Sequence, residues 1–155
     1  MDWMFPRPGQ PALETLVDDI LARRLAHFGP LSAQERAGLA DLTRDRSRPY
    51  AAREDIVREG DEPGALNIVM SGWLGRYRML EDGRRQIVAV LLPGDFCDLH
   101  NSILPEMDHT LCTLSPALVA QVPEQHVDRL LAQSPRLARA FWWHWLTIIA
   151  MQREW

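Results

Sequence analysis

The chain has 155 residues, of which 46% are hydrophobic and 25% charged, the proportions of an ordinary globular domain. This composition excludes a disordered or collagen-like chain. With 17 basic against 21 acidic residues, the net charge is −4, which argues against a segment that holds DNA by itself, since nucleic-acid binders usually carry a basic excess.

The N-terminal sequence, MDWMFPRPGQ, contains an acidic residue and lacks the apolar core of a signal peptide. The longest apolar stretch, around residues 140–151, is far shorter than the roughly 20 residues that a membrane span needs. We therefore expect a cytoplasmic protein that crosses no membrane and keeps its cysteines reduced.

The first part of the chain is predicted to be helical after a short arm. Residues 1–11 contain three prolines and a glycine, which predicts an extended arm. Apolar spacing then predicts a helix over residues 12–28. Ser32, followed three residues later by Glu35, has the pattern of a capping box and opens a second, short helix that continues through Leu42.

Short strand-like runs replace this helical pattern from about residue 46. Glycine, proline and aspartate turns separate the runs, and this pattern predicts an antiparallel sandwich or barrel. Asp82 and Gly83 lie between two alternating runs and predict a hairpin. The predicted strands are residues 56–58, 66–70, 73–80, 85–92, 110–113 and 118–122.

The last third of the chain returns to helix. One helix is predicted over residues 124–133. A second helix, from residue 136 to the end, follows Ser134 as N-cap and Pro135 at the first helical position.

Four segments place glycines at turns between the predicted strands: Glu59-Gly60-Asp61, the run LNIVMSG at 66–72, Gly83 and the run LPGDF at 92–96. These glycine turns and the strands between them resemble the effector domain of the Crp/Fnr family of bacterial transcription regulators, over roughly residues 25–155. The resemblance implies a mainly β fold with flanking helices: a jelly roll, or double-stranded β-helix, of the cyclic-nucleotide-binding type, followed by a long dimerisation helix.

The same resemblance divides the chain into an arm (1–11), the β-roll with its N-terminal helices (12–133) and the start of the dimerisation helix (134–155). The family continues into a helix-turn-helix domain, and no residues here correspond to it. We therefore expect a truncated chain that forms a homodimer, with promoter DNA and RNA polymerase contacted through the missing domain.

Cyclic-nucleotide binders of this fold hold ribose and phosphate with a small helix after the Gly-Asp-Phe turn, and an arginine about ten residues later neutralises the phosphate. At the corresponding positions this chain has Asp98 for the small glycine, Leu99 for the ribose-binding glutamate and His109 for the arginine; only the hydroxyl of Thr110 is kept. The candidate pocket residues are Gly94, Asp95, Phe96, Asp98, Leu99, His100, Asn101, His109 and Thr110.

These replacements change the ligand that we expect. An aspartate beside a phosphate repels it in a partly desolvated site. We therefore predict no tight binding of cyclic AMP or cyclic GMP, no cofactor, and an effector whose identity the sequence does not give.

Three alternatives remain for the polar residues of this region. His100 falls where the carbon-monoxide-sensing haem member of the family has a haem-binding histidine, in a similar Gly-Asp-x-x-x-x-His frame, which implies a haem sensor. Asp98 and His100 could instead join Asp108, His109 and Cys112 in a mixed zinc or iron site. We favour the third alternative, internal hydrogen bonds such as an Asp98–His109 pair that close the pocket.

The cysteines offer one further mechanism. Oxygen-sensing relatives hold an iron–sulfur centre with N-terminal cysteines, and this chain has none before Cys97, which excludes that mechanism. Cys97 and Cys112 could form a redox pair, but we expect buried, reduced thiols instead.

The long last helix carries two apolar stripes, and a helix that is apolar on two faces has two partners. We predict that one stripe pairs with the twin helix of a homodimer in coiled-coil fashion and that the other packs on the β-roll. The predicted dimer stripe is Leu137, Phe141, His144, Ile148, Met151 and Trp155. The predicted roll-facing stripe is Ala138, Trp142, Trp145 and Ile149.

Together these features predict a non-enzymatic, effector-sensing and dimerisation domain of a Crp/Fnr-type regulator. It would act allosterically on the absent helix-turn-helix domain, and not through cyclic AMP. The alternatives are a haem- or metal-dependent gas or redox sensor that uses His100, and a stand-alone cyclic-nucleotide-binding module that gates a partner.

Overall fold

The computed structural model describes residues 19–97, 99 and 103–153. The predicted arm, Asp98, His100, Asn101 and Trp155 lie outside this part of the chain. The helices described are α1 (Ile20–Leu25), α2 (Ala33–Thr43), α3 (Glu124–Gln133) and α4 (Pro135–Arg153). The strands described are β1 (Ser47–Tyr50), β2 (Asp55–Val57), β3 (Ala65–Ser71), β4 (Leu74–Met79), β5 (Arg85–Leu91), β6 (Phe96–Cys97), β7 (Thr110–Thr113) and β8 (Ala117–Pro123).

The strands form two four-stranded antiparallel sheets, with orders β1-β8-β3-β6 and β2-β7-β4-β5. The predicted mainly β jelly roll with flanking helices and a long last helix is therefore confirmed. All six predicted strands are present, and no boundary differs from its predicted position by more than one residue. The prediction missed β1, which contains Pro49 and lies at a sheet edge where proline is tolerated, and β6, which has only two residues.

Alternation along β3 builds two apolar cores. Ile68 and Met70 face the helices and join the first cluster, which includes Leu25, Phe96 and Phe141. Val69, between them in sequence, faces the opposite sheet and joins a second cluster. Because β3 is buried on both faces, apolar residues occupy both alternating sets of its positions, and Asn67 is the buried polar exception.

Cys97 and Cys112 are both buried and form no disulfide. Cys97 belongs to the core between the two sheets. Cys112 lies on β7 opposite Gly75 of β4, and burial raises the pKa of its thiol. The expectation of buried, reduced thiols agrees with this placement.

Glu35 ties the starts of two helices together. The predicted capping box is confirmed: the Ser32 hydroxyl accepts from the Glu35 N–H at 3.1 Å, and Glu35 Oε2 accepts from the Ser32 N–H at 2.7 Å. The Ser134 hydroxyl donates to Glu35 Oε1 at 2.7 Å and accepts from the N–H of Leu137 at 3.1 Å. The hydrogen bond from the Ser32 N–H, followed by that from Ser134, lowers the pKa of Glu35. One carboxylate therefore fixes where α4 begins relative to α2.

Two glycine turns share a positive φ but differ in their surroundings. Gly83, in the predicted β4–β5 hairpin, has φ +79° with nothing within 4 Å of an added Cβ. Gly72, between β3 and β4, has φ +81°, and an added Cβ would overlap the carbonyl oxygen of Pro116 and lie 2.7 Å from Cα of Ala117. Only the second turn also needs glycine for space.

We therefore expect Gly72→Ala to destabilise the protein more than Gly83→Ala. The left-handed conformation alone costs an alanine about 1–2 kcal/mol. The overlap with the 116–117 backbone adds about 1–3 kcal/mol at position 72 only. Urea denaturation of both variants measures the difference, and equal losses in unfolding free energy would contradict the steric argument.

Candidate functional site

The turn between β5 and β6 brings the first predicted pocket residues together. Gly94 has φ +88°, and an added Cβ would lie 2.9 Å from Cβ of Arg24 and 3.0 Å from the carbonyl oxygen of Ile20. Its N–H donates to the carbonyl of Val69 at 2.8 Å. Glycine at this position therefore allows α1 to pack directly on the turn.

Asp95 is the buried charge of this turn, with a side chain only 5% exposed. Its Oδ2 accepts from the N–H of Leu92 at 2.8 Å. Its Oδ1 forms an ion pair with the guanidinium of Arg24 on α1 and lies 3.4 Å from Nε2 of His144 on α4. One carboxylate therefore joins the turn to both helices.

Phe96 makes the apolar counterpart of this contact. Its ring stacks on Phe141 of α4 at a centroid distance of 4.9 Å and meets the His144 ring at 4.7 Å. Burial outweighs the attraction of Asp95 and lowers the pKa of His144 from 6.5 to about 4, with Arg24 contributing in the same direction. The imidazole is thus neutral at pH 7.

His109 and Thr110 are both buried at the start of β7. Nδ1 of His109 lies 2.6 Å from Oδ1 of Asp108, and this hydrogen bond lowers the pKa of Asp108. We predicted that Asp98 would supply the carboxylate that pairs with His109, but Asp98 lies outside the described residues. The carboxylate that contacts Nδ1 of His109 in the structure belongs to Asp108. The Thr110 hydroxyl accepts from the N–H of Glu59 at 3.0 Å.

Leu99 packs in the first apolar core and is 6% exposed. It occupies the position for which the family resemblance implies a ribose-binding glutamate. An apolar core side chain offers no acceptor for ribose hydroxyls, which agrees with the replacement of the phosphate-binding arginine by His109.

Arg76 is a buried charge that was not among the predicted site residues. It lies on β4, is 7% exposed, and places its guanidinium carbon 5.8 Å from the ring centroid of Trp145 on α4. Its charge also contributes to the lowered pKa of Asp108. Strand alternation from Leu74, a core residue, puts position 76 on the inward face, so an inward arginine was a signal available in the sequence.

The haem and metal alternatives depend on residues that the structure does not describe. His100, the predicted haem ligand, lies outside the described residues, as does Asp98. Within residues 19–97, 99 and 103–153, no three His, Cys, Asp or Glu side chains are grouped as metal ligands. Both alternatives stay predictions.

The predicted dimer stripe on α4 is wrong for four of its residues. Leu137, Phe141, His144 and Ile148 are at most 4% exposed and pack on the chain's own roll and helices. The reason is that Asp95 and Phe96 supply a polar and an aromatic partner for this stripe. Met151 is half-exposed, and Trp155 lies outside the described residues.

The predicted roll-facing stripe is only partly buried. Trp145 does pack against the first core, as predicted, but Trp142 is 48% exposed. Leu146, one turn further along α4, is 56% exposed. The outward face of the helix therefore contains the apolar side chains that the roll leaves uncovered.

Comparison with known proteins identifies the family. Residues 47–134, more than half of the chain, match the family model described as the cyclic nucleotide-binding domain. The chain belongs to this family. Its curated relatives are regulators of the Crp/Fnr group, as the resemblance predicted. One is the transcriptional activator protein Anr of Pseudomonas aeruginosa, 27% identical over 109 residues that cover 70% of this chain and 44% of Anr.

Further relatives agree. The nitrogen fixation regulation protein FixK of Bradyrhizobium diazoefficiens is 29% identical over 90 residues, 58% of this chain and 37% of FixK. The sensor domain of the transcriptional regulator DNR from Pseudomonas aeruginosa superposes with a TM-score of 0.67 at 18% identity, covering 93% of this chain and 95% of that domain, which shows the shared fold. The chain spans less than half the length of these two curated relatives.

In the described part of the chain, no helix has the length and apolarity to cross a bilayer.

We expect calorimetric titration with cyclic AMP or cyclic GMP to give no saturable heat at micromolar protein. The physical reason is that the positions for the phosphate-binding arginine and the ribose-binding glutamate hold a histidine paired with Asp108 and a buried leucine. Micromolar binding of either nucleotide would overturn this assignment of His109 and Leu99.

Proposed function

We propose that this chain is the effector-sensing and dimerisation domain of a Crp/Fnr-type transcription regulator and that it acts allosterically, not through cyclic AMP. One observation carries the proposal. One face of α4 contacts the turn between β5 and β6 (residues 92–95, with Phe96 next to it), here called the effector turn, and the other face leaves apolar side chains exposed. Asp95 and Phe96 contact the buried face. A change at the turn can therefore reach whatever covers the exposed face.

The exposed face of α4 supports a homodimer. Trp142, Leu146 and Ala150 follow one another at helical spacing of four, and all three are exposed. Single apolar groups on a surface are ordinary, but a row along one face marks an interaction surface. Because such a row can pack against an identical one across a two-fold axis, the proposed partner is the α4 helix of a second copy.

Partners beyond the dimer follow from the relatives. Anr is named a transcriptional activator and FixK a regulation protein. We infer that promoter DNA and RNA polymerase are contacted by a helix-turn-helix domain that the dimer helices position, within the bacterial cytoplasm. With a net charge of −4, the 155 residues themselves are not suited to holding DNA. No bond-making chemistry is part of this role.

The effector remains a small molecule or signal of unassigned identity. The absence of a guanidinium at position 109 and of a carboxylate at position 99 supports an effector other than a cyclic nucleotide. The Asp108–His109 hydrogen bond supports the favoured alternative, in which internal contacts replace those that a nucleotide phosphate would make.

Leu146→Glu tests the dimer. A charge in the middle of an apolar interface costs at least about 1.4 kcal/mol, so we expect the dimer dissociation constant to rise at least about tenfold. Sedimentation velocity over a concentration series measures the change.

Ile103→Glu is the matched control, because Ile103 is 82% exposed and is not part of α4. This variant should associate like the unmodified chain. A chain that is monomeric throughout the series, or a Leu146→Glu variant that dimerises normally, would contradict the proposed interface.

A further inference from the structure

The two halves of α4 differ in how closely they pack on the roll. In the first half, Leu137, Ala140 and Phe141 are fully buried in the first core. The second half is flanked by two cavities. One, of about 240 Å³, lies between α4 and α1, and the other, of about 90 Å³, lies between α4 and β5; Met151 lines both. The space on these two sides leaves the second half room to move.

A polar contact lies between these two cavities. Asp95 lines the smaller cavity, and Arg24 and His144 line the larger. The side chains of Asp95 and His144 are 5% and 4% exposed, yet Nε2 of His144 has no hydrogen-bond partner among the described residues, because its approach to Asp95 Oδ1, at 3.4 Å, lacks hydrogen-bond geometry. A buried polar contact that is incompletely satisfied is weaker than a well-formed one.

We propose that Arg24, Asp95 and His144 form a latch that holds the second half of α4 against the effector turn, and that protonation of His144 or displacement of Asp95 releases it. This inference rests on the proposed function, because release matters only if α4 transmits the state of the turn to a partner. It adds to that function the residues that hold and release the helix.

The charges around His144 determine the direction of the proton effect. Asp95 faces it from the turn, Arg24 from α1, and His27, just after α1, lines the same cavity. The uncharged Phe96 ring also contacts His144. Arg24 already neutralises Asp95, so an imidazolium ion at this position would be buried next to an existing cation. Protonation therefore favours the state in which His144 reaches water.

The size of the effect follows from linkage. The pKa of His144 is about 4 when it is docked, against an ordinary value of 6.5 for a solvated histidine. A group whose docked pKa is lowered favours docking above the solvated value and loses that contribution as pH falls. Between pH 7 and pH 5 the docking equilibrium should shift toward release by about twentyfold.

Movement of the turn would act on the same contact without a proton. Asp95 is held by the N–H of Leu92 through its side chain, and its backbone carbonyl accepts from Val69 at 2.9 Å. The carboxylate thus moves with the turn as a unit. An effector that displaces this turn would therefore withdraw Asp95 from His144.

Hydrogen–deuterium exchange of peptides from the second half of α4 tests the latch. After correction for the intrinsic pH dependence of exchange, protection in the unmodified chain should fall about twentyfold from pH 7 to pH 5. In His144→Gln, which cannot take up the proton, the fall should be less than about threefold. His126→Gln, on α3, is the matched control and should behave like the unmodified chain. An equal fall in the unmodified chain and in His144→Gln would overturn the proposal.

Imidazole NMR gives a second readout that does not depend on the His144 variant folding well. In Arg24→Gln the pKa of His144 should rise, because a neighbouring cation that opposes protonation has been removed. An unchanged His144 titration in this variant would contradict the role of Arg24.

Sedimentation of the same samples distinguishes the latch from the proposed dimer. If the chain is monomeric but the pH dependence of α4 exchange is still lost in His144→Gln, the dimer proposal fails and the latch is supported. If the dimer forms but the pH dependence of α4 exchange is the same in the unmodified chain and in His144→Gln, the latch fails and the dimer is supported.

Discussion

The contact between the β5–β6 turn and α4 is the interaction on which the rest of the structure depends. Two adjacent residues make it: Phe96 stacks on Phe141, and Asp95 approaches His144. Burying an aromatic pair of this kind contributes about 2–3 kcal/mol per ring, with a smaller increment from the stacking geometry. Because Asp95 also binds Arg24, the same turn holds α1. The first and last helices described, α1 and α4, thus both pack on one short segment.

This contact determines which side of α4 is available to a partner. Once Phe141 and His144 face the turn, helical geometry places Trp142 and Leu146 outside. Glu35 adds a second constraint, since its hydrogen bond with Ser134 fixes the first residue of the helix. Orientation and starting point are therefore set independently, by an aromatic–ionic contact in the middle of α4 and a carboxylate at its beginning.

How much of this could be predicted differs from one element to the next. The alternating strands and the Asp82-Gly83 hairpin carry local signals, and the structure confirms them. β1 has no such signal, because an edge strand with Pro49 needs neither alternation nor a full ladder. The orientation of α4 was wrong for a non-local reason. One stripe is apolar at five of its six positions and the other at all four, and Asp95, whose contact with His144 decides between them, lies about fifty residues earlier in the chain.

The charges of the candidate site were also not fully predictable from local sequence. The resemblance placed the phosphate-binding arginine at position 109, where this chain has histidine, and so implied a region without a guanidinium. The structure instead brings Arg76 from β4 to within 5.8 Å of the Trp145 ring on α4. A guanidinium stays charged at any physiological pH and is costly to bury, so its surroundings must compensate it wherever it lies. Since Arg76 on β4 and Asp95 in the β5–β6 turn both lie close to α4, a change in either charge would be felt by the helix.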